Sequence, residues 1–431
     1  MSESLEISLA PENLDEGSAE EKATFGLLTI RANEMALTEG FDHFIQALRP
    51  GPLVSGYHAA EWFAWNWWRL LHEPYREGSA AWSMAHRMSG IGAGYVWPNV
   101  EIRSDGRRSV IIARPSSRPD AKPFRFIGSP TPWLGPCAML EAALANFITA
   151  VVVRMSAAQL RGTNLQQLWH EVETERRDPD AARRRRLEAL MGLDPDVAPD
   201  PVLDGLLTDA KVLGQEAVEE LAADASNGHP LRAADLRELS LASRLRSHRN
   251  DAVRLPAAAL TAIRKQDVAW QQGKHAAERL RRQEQLGEAP LPTQRLLTLL
   301  GAAGDAEAAA NARMSFLLAG KRHDAAIVLR SRYETGQRFD LARLLGDQLL
   351  FGRDAPALPA TQAYTFRQKA QRSFAAEFLA PFEMVDAMLA GDLTEEAIER
   401  VARHFDVSTW TIRTLLVNHR RLEREALADV A

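Results

Sequence analysis

Apolar and polar positions along this chain follow two rhythms. Over residues 23–160 the rhythms are mixed. FGLLTIRA, from Phe25, is short and apolar, and NVEIRSDGRRSVIIARP carries two β-rich arms around Ser104, Asp105 and Gly106. Asp-Gly between such arms predicts a hairpin, because these residues tolerate the positive φ of a tight turn. PFRFIG, around Phe124, is placed to pair alongside. YHAAEWFAWNWWRLLHEP reads as a helix stopped by Pro74, and CAMLEAALANFITAVVVRM (Cys137 to Met155) as a long helix closing an α+β domain.

Over 161–262 the period is helical. Thr163 caps TNLQQLWHEVETERR, DAARRRRLEALMGL ends at Gly192, and AVEELAADA and LRAADLRELSLASRLRSH follow. LDPDVAPDPVLDG, from Leu193, is rich in Pro and Asp and reads as a linker. Residues 263–431 form a last domain. AWQQGKHAAERLRRQEQL and PTQRLLTLLGAAG are helical, and AAIVLRSRY, from Ala325, has a strand-like core. RFDLARLLGDQLL follows, then FRQKAQRSFAAEFLAPFEMVDAML broken at Pro381, then TEEAIERVARHFDVSTWTIRTLLVNHRRL. The expected fold is α+β and mostly helical: an α+β N-terminal domain, a helical middle and a C-terminal domain ending in two helices. No fixed-period repeat is visible.

Composition narrows this picture. At 431 residues the chain exceeds the size at which one core stops growing, roughly 250–300 residues, so two or three domains are expected. A net charge of −5 speaks against non-specific nucleic-acid binding by the whole chain and leaves local basic patches open. The single cysteine, Cys137, excludes an intramolecular disulfide and a cysteine zinc cluster, and suits a reducing cytoplasm. MSESLEISLAPENLDEGSAEEK, residues 1–22, is acidic with no apolar segment, which predicts a mobile tail and not a signal peptide. Glu141 and Asn146 interrupt the apolar run of Cys137–Met155, so a buried helix is expected there and no membrane partner.

Within RFDLARLLGDQLL, Arg343 and Asp347 stand four apart and so share one helix face. As an exposed pair they contribute only ~0.3–0.5 kcal/mol; as a buried pair they hold two walls together. The flanking residues add a lineage. From Trp270 onward the order of features resembles the ImmA/IrrE-like family of bacterial metallopeptidases. Trp270, Gly273, Ala277 and Leu280 match the spacing of that family's first helix, and a strand over Ala325–Leu329 precedes Arg338 and Phe339. ARLLGDQLL then stands where the family carries its HExxH helix, with Ala342, Leu345 and Gly346 matching. RSFAAEFLAP, Arg372 to Pro381, matches the family's F-A-A-E-L-L-x-P segment. The resemblance covers about residues 265–425 and implies a zincin-like domain.

The departures bear on function. In HExxH, two histidines four apart bind zinc and the glutamate acts as base. Here Arg343 replaces the first histidine, Leu344 the glutamate and Asp347 the second histidine. The family's third ligand is an acid just before F-A-A-E-L-L, where this chain has Lys369, Ala370 and Gln371. A guanidinium stays protonated and cannot ligate a cation. Every ligand or catalytic position is lost, so no cofactor and no metal are expected. His72 and His170 each lack a second histidine, which leaves His323 with Asp347 as the material for a relocated site.

The resemblance implies mobile-element control, stress response or phage defence, in which members often cut a partner repressor. The expected function is a non-catalytic pseudopeptidase regulator or adaptor. Its partner would be a repressor, a toxin or a defence component. Two alternatives stay open: a zinc endopeptidase with relocated ligands that cleaves a repressor, and a DNA-binding transcriptional regulator.

The last alternative comes from the final two helices. Ala402, Asp406, Val407, Ser408, Ile412 and Leu415 have helix-turn-helix spacing, with Asp406 at the turn and Ser408 as cap. The second helix is expected to expose Thr409, Thr411, Arg413 and Thr414, while Arg403, Arg413, Arg420 and Arg421 meet phosphates. Trp410 is bulky for a base-reading position, and the resemblance implies a helical closure of the domain here instead.

A further candidate is the tryptophan cluster. Trp62, Trp65, Trp67 and Trp68 crowd one helix, with Asn66, Arg69 and Glu73 beside them. Trp62, Trp65, Asn66, Arg69 and Glu73 could line a ligand or peptide pocket; a wide core helix explains the same residues. SGIGAGYVWP, Ser89 to Pro98, lacks the Lys-Ser/Thr of a phosphate loop and reads as a turn. Arg183–Arg186 spread around a helix, as a solvated face or protein contact.

Overall fold

A computed structural model describes residues 4–117, 123–225, 228–321, 323–352 and 354–423. Helix accounts for 49% and strand for 17%, a mixed α+β fold dominated by helix. The chain divides into two compact units, Met1–Leu203 with Ser226–Gly228, and Asp204–Ala225 with His229–Ala431. The expected helical middle is therefore not a body of its own. Asn164–Arg177 and Pro179–Met191 belong to the first unit, whereas Gln215–Ala223 and Ala233–Ala242 belong to the second.

In the first unit, Leu5–Pro11 pairs antiparallel with Phe25–Ala32 over seven residues. The expected mobile tail is corrected here: the short apolar alternation Leu5, Ile7, Leu9 is enough to add an edge strand. Ala19–Thr24 then forms a helix closed by a Ser18–Glu21 capping box. The hairpin at Asp105-Gly106 forms, joining Val100–Ser104 to Arg108–Ala113, with Gly106 at φ 92°. Its outer neighbour is Trp133–Pro136. Phe124–Phe126 pairs instead with Gly40–Asp42, a correction that local spacing does not reveal. The long helix Cys137–Ala157 is long and apolar enough to cross a membrane, yet Leu140, Leu144, Phe147, Ile148 and Val151 pack into the unit's core.

The second unit is built on a five-stranded antiparallel sheet. Its order is Ala302–Ala303, Arg246–His248, Asp324–Val328, Ser315–Ala319, Ala357–Ala360. Arg246–His248 falls where a helical tail is expected; the helix stops at Ala242 and the chain turns extended. The central helix, Glu334–Leu350, is buried along most of its length. It packs between the sheet and two further helices, Ala269–Gln283 and Phe366–Leu379. Pro381 separates the latter from Phe382–Leu389, and Glu395–Phe405 and Thr409–Asn418 end the unit.

Candidate functional site

Close approach at two glycines sets how the central helix and its two neighbouring helices meet. A Cβ at Gly346 would lie 2.6 Å from the Phe374 ring, and one at Gly273 would lie 2.3 Å from the carbonyl oxygen of Ala370. These two glycines let three helices meet with almost no side-chain spacer, and Ala370 is wholly buried in the seam. Leu344 is also fully buried, in the apolar core.

Arg343 and Asp347 are buried to 1% and 0% exposure, so the solvated pair is ruled out. Each finds its nearest partners on other segments. Asp347 accepts two hydrogen bonds from Arg367, Oδ1 from Nε and Oδ2 from Nη2, both at 2.7 Å. Arg343 donates through Nη2 to the Thr361 carbonyl and to Gln368 Oε1, each at 2.5 Å, and to Gln371 Oε1 at 3.3 Å. Asp340 lies 3.8 Å from Arg343 Nη1 and is itself held by the Ser315 hydroxyl at 2.6 Å.

A third segment closes the cluster. Glu220, on the helix Gln215–Ala223, accepts from the Thr365 hydroxyl at 2.8 and 2.9 Å. Burial pushes its carboxyl up to about 7, against the pull of Arg367 and hydrogen bonds from Thr365 and Gln368; Asp347 adds to the rise. Burial also depresses Arg343, with Asp340 and Asp347 opposing. For Arg367, burial is outweighed by Asp347, Glu220 and Glu216, and its guanidinium is held above the ordinary value.

These residues do not fit zinc. Arg343 is a cation, Leu344 has no proton to move, Ala370 has no donor, and both Asp347 oxygens face Arg367. His323 is exposed in a left-handed turn at φ 70°, while Asp347 is fully buried in the helix interior. Among the described residues, no group of three or more His, Cys, Asp or Glu side chains is arranged to hold a metal. The cluster can hold its three segments together, and its two hydroxyls, Thr365 and Ser315, are buried against Glu220 and Asp340.

The proposed tryptophan pocket does not assemble. The helix breaks at Asn66 into Gly56–Trp65 and Trp67–His72. Trp65 is 54% exposed, whereas Asn66, Arg69 and Glu73 are buried. Arg69 donates to Glu73 and to Asp194, both at 2.8 Å, and His86 Nε2 sits 3.0 Å from Glu73. Despite its burial, Glu73 is held below the usual carboxylate range by His86 and Arg69. Trp62 Nε1 donates to the Met84 carbonyl and Trp68 Nε1 to Glu175, so these indoles have the partners of structural residues.

The final two helices adopt the expected turn: Asp406 has φ 52° and Ser408 caps the Thr411 amide at 3.2 Å. Thr411, however, is 4% exposed and its hydroxyl meets Ser408 at 2.9 Å, so it cannot reach a base. Arg413 is drawn against Glu395, Arg421 against Asp386, and Thr409 is half-buried. Arg403 and Arg420 remain exposed, as does Trp410. Arg338, buried on the central helix, reaches Asp406 Oδ2 at 3.1 Å. The turn is therefore tied into the domain core.

Arg367, Gln368, Thr365 and Glu220 are the functional-cluster residues that spacing alone misses. Arg367, Gln368 and Gln371 carry a faint signal: they are polar positions at one-turn spacing in an otherwise buried helix. Glu220 carries none. No family model, no curated protein and no solved structure matches this chain.

Proposed function

We propose that this protein is a non-catalytic regulator or adaptor, a pseudopeptidase that acts by binding a protein partner. The observation that supports this reading is the closed cluster of Arg343, Asp347, Arg367 and Glu220; by the resemblance, Arg343 and Asp347 stand where a peptidase would carry its zinc histidines. The element order supports the same lineage: the helix Ala269–Gln283, a small antiparallel sheet, the central helix, an edge strand, then the helix bearing the RSFAAEFLAP segment. By the resemblance, the setting is bacterial and cytoplasmic: mobile-element control, stress response or phage defence. The partner is a repressor, a toxin or a defence component, held and not cut.

The test combines metal content with partner capture. The full chain, purified without chelator, is expected to retain no zinc. It should bring down its partner intact from the native host. One zinc per chain, lost on chelation together with cleavage of that partner, overturns the reading and returns the relocated-ligand peptidase. Salt-sensitive binding to a promoter, weakened by Arg403→Ala, would return the DNA-binding regulator.

A further inference from the structure

The second unit carries a cleft of about 460 Å³ at the C-terminal end of the central helix, separate from the buried ion cluster. Its volume lies in the range of small-molecule sites, roughly 300–1,000 Å³. Val253, Leu255, Leu260 and Leu349 supply apolar lining. Arg249, Arg254 and Arg264 supply positive charge, set against one lining carboxylate, Asp354. Arg249 is anchored through Nη2 to the Ala355 carbonyl at 2.5 Å, and Arg264 through Nε to the Leu350 carbonyl at 2.9 Å. Among the described residues, neither Arg254 nor Arg264 has a carboxylate partner.

Gln348 is the second observation. It lines the cleft at 3% exposure, yet neither its amide oxygen nor its amide nitrogen has a hydrogen-bond partner. A buried unsatisfied polar group costs about 1–3 kcal/mol; Gln272 carries an unpaired amide as well, and Gln348 differs from it in lining a cleft beside three arginines. A ligand with adjacent donor and acceptor atoms satisfies both at once, as glutamine does with the edge of adenine. Three arginines lining one cleft suit a phosphate dianion better than a carboxylate, for which one bidentate arginine suffices.

We propose that this cleft binds a small phosphomonoester whose neutral head carries adjacent hydrogen-bond donor and acceptor atoms, the chemistry of a nucleoside monophosphate. The phosphate meets the arginines, the head meets Gln348, and the leucines cover the body between them.

Calorimetry on the full chain tests this, with adenosine, guanosine, cytidine and uridine 5′-monophosphates as probes. Adenosine, inorganic phosphate and an uncharged-side-chain dipeptide serve as comparison ligands. At least one monophosphate is expected to bind about tenfold or more tighter than phosphate, and affinity should fall with salt. R254A/R264A, at exposed positions, should weaken that binding about tenfold or more. Gln348→Leu keeps the side-chain size and removes the orphan amide; it should leave the melting temperature of the free chain unchanged or raised and abolish the preference over phosphate. Several results overturn the proposal: no binding of any monophosphate, phosphate binding as tightly, the dipeptide binding more tightly, or R254A/R264A leaving affinity unchanged.

Discussion

Asp347 and Arg367 form a two-point ion pair inside the second unit, with both contacts at 2.7 Å and the carboxylate wholly shielded from solvent. Removing one partner from a buried pair strands the other charge and typically costs about 3–5 kcal/mol, whereas replacing both with apolar residues is often neutral. Asp347→Leu and Arg367→Met should each lower unfolding free energy by about that amount, and the double variant by much less. Urea denaturation of the four chains gives the cycle. Additive losses would mean that the two side chains do not depend on each other.

Glu220 gives the cluster a pH dependence of known sign. Its folded value, about 7, lies above the ordinary 4.5 because the side chain is buried. Below 4.5 the carboxyl is protonated in both states and contributes no slope. Between 4.5 and about 7 the unfolded chain loses the proton while the folded chain keeps it, so stability falls as pH rises through this window. Above about 7 both states are ionised and the slope ends. Glu220→Gln removes the titration and keeps the shape. Urea unfolding at pH 5 and pH 8 should therefore show the glutamine variant gaining on the wild type at the higher pH. An equal difference at both values would remove Glu220 from the account.

Local chemistry was the legible part of this sequence. Asp105-Gly106 announces its hairpin, Thr163 and Gly192 their helix ends, Pro381 its break and Asp406 its left-handed turn, because each acts within a few residues. Pairing with distant segments was hidden. Leu5–Pro11 reads as a tail and pairs with Phe25–Ala32, and Phe124–Phe126 reads as a neighbour of the hairpin and pairs with Gly40–Asp42. The ion cluster divides the same way. Arg343 and Asp347 share a helix face and stand out by spacing, but their burial and their partners depend on tertiary packing. Glu220 reaches Thr365 across 145 positions of sequence, and no periodicity encodes that.

The two close-packed glycines carry an opposite-sign test. Glycine to alanine inside a helix ordinarily stabilises by roughly 0.5–1 kcal/mol. At Gly346 the new methyl would press on Phe374, and at Gly273 on the backbone of Ala370 and Phe374. Both substitutions should destabilise, by about 1–3 kcal/mol at Gly346. The loss should be larger at Gly273, where a backbone carbonyl cannot rotate away. Thermal unfolding of the two variants decides it; stabilisation by either alanine would show that these helices are not held at backbone contact.

Arg338 provides the last test, because it ties the turn between the final helices to the central helix. It donates to Thr293 Oγ1 and to the Leu291 carbonyl, both at 2.8 Å, and meets Asp406 Oδ2 at 3.1 Å in the turn between Glu395–Phe405 and Thr409–Asn418. Buried hydrogen bonds to a charged group are worth about 1.5–3 kcal/mol each, and Arg338→Met loses all of them while keeping much of the apolar stem. Hydrogen exchange should then accelerate over residues 395–418, with residues 269–283 remaining protected, since the latter pack through Gly273 and not through Arg338. Unchanged protection over 395–418 would mean that the terminal helices hold their place by apolar packing alone, through Ile398, Phe405, Ile412 and Leu415.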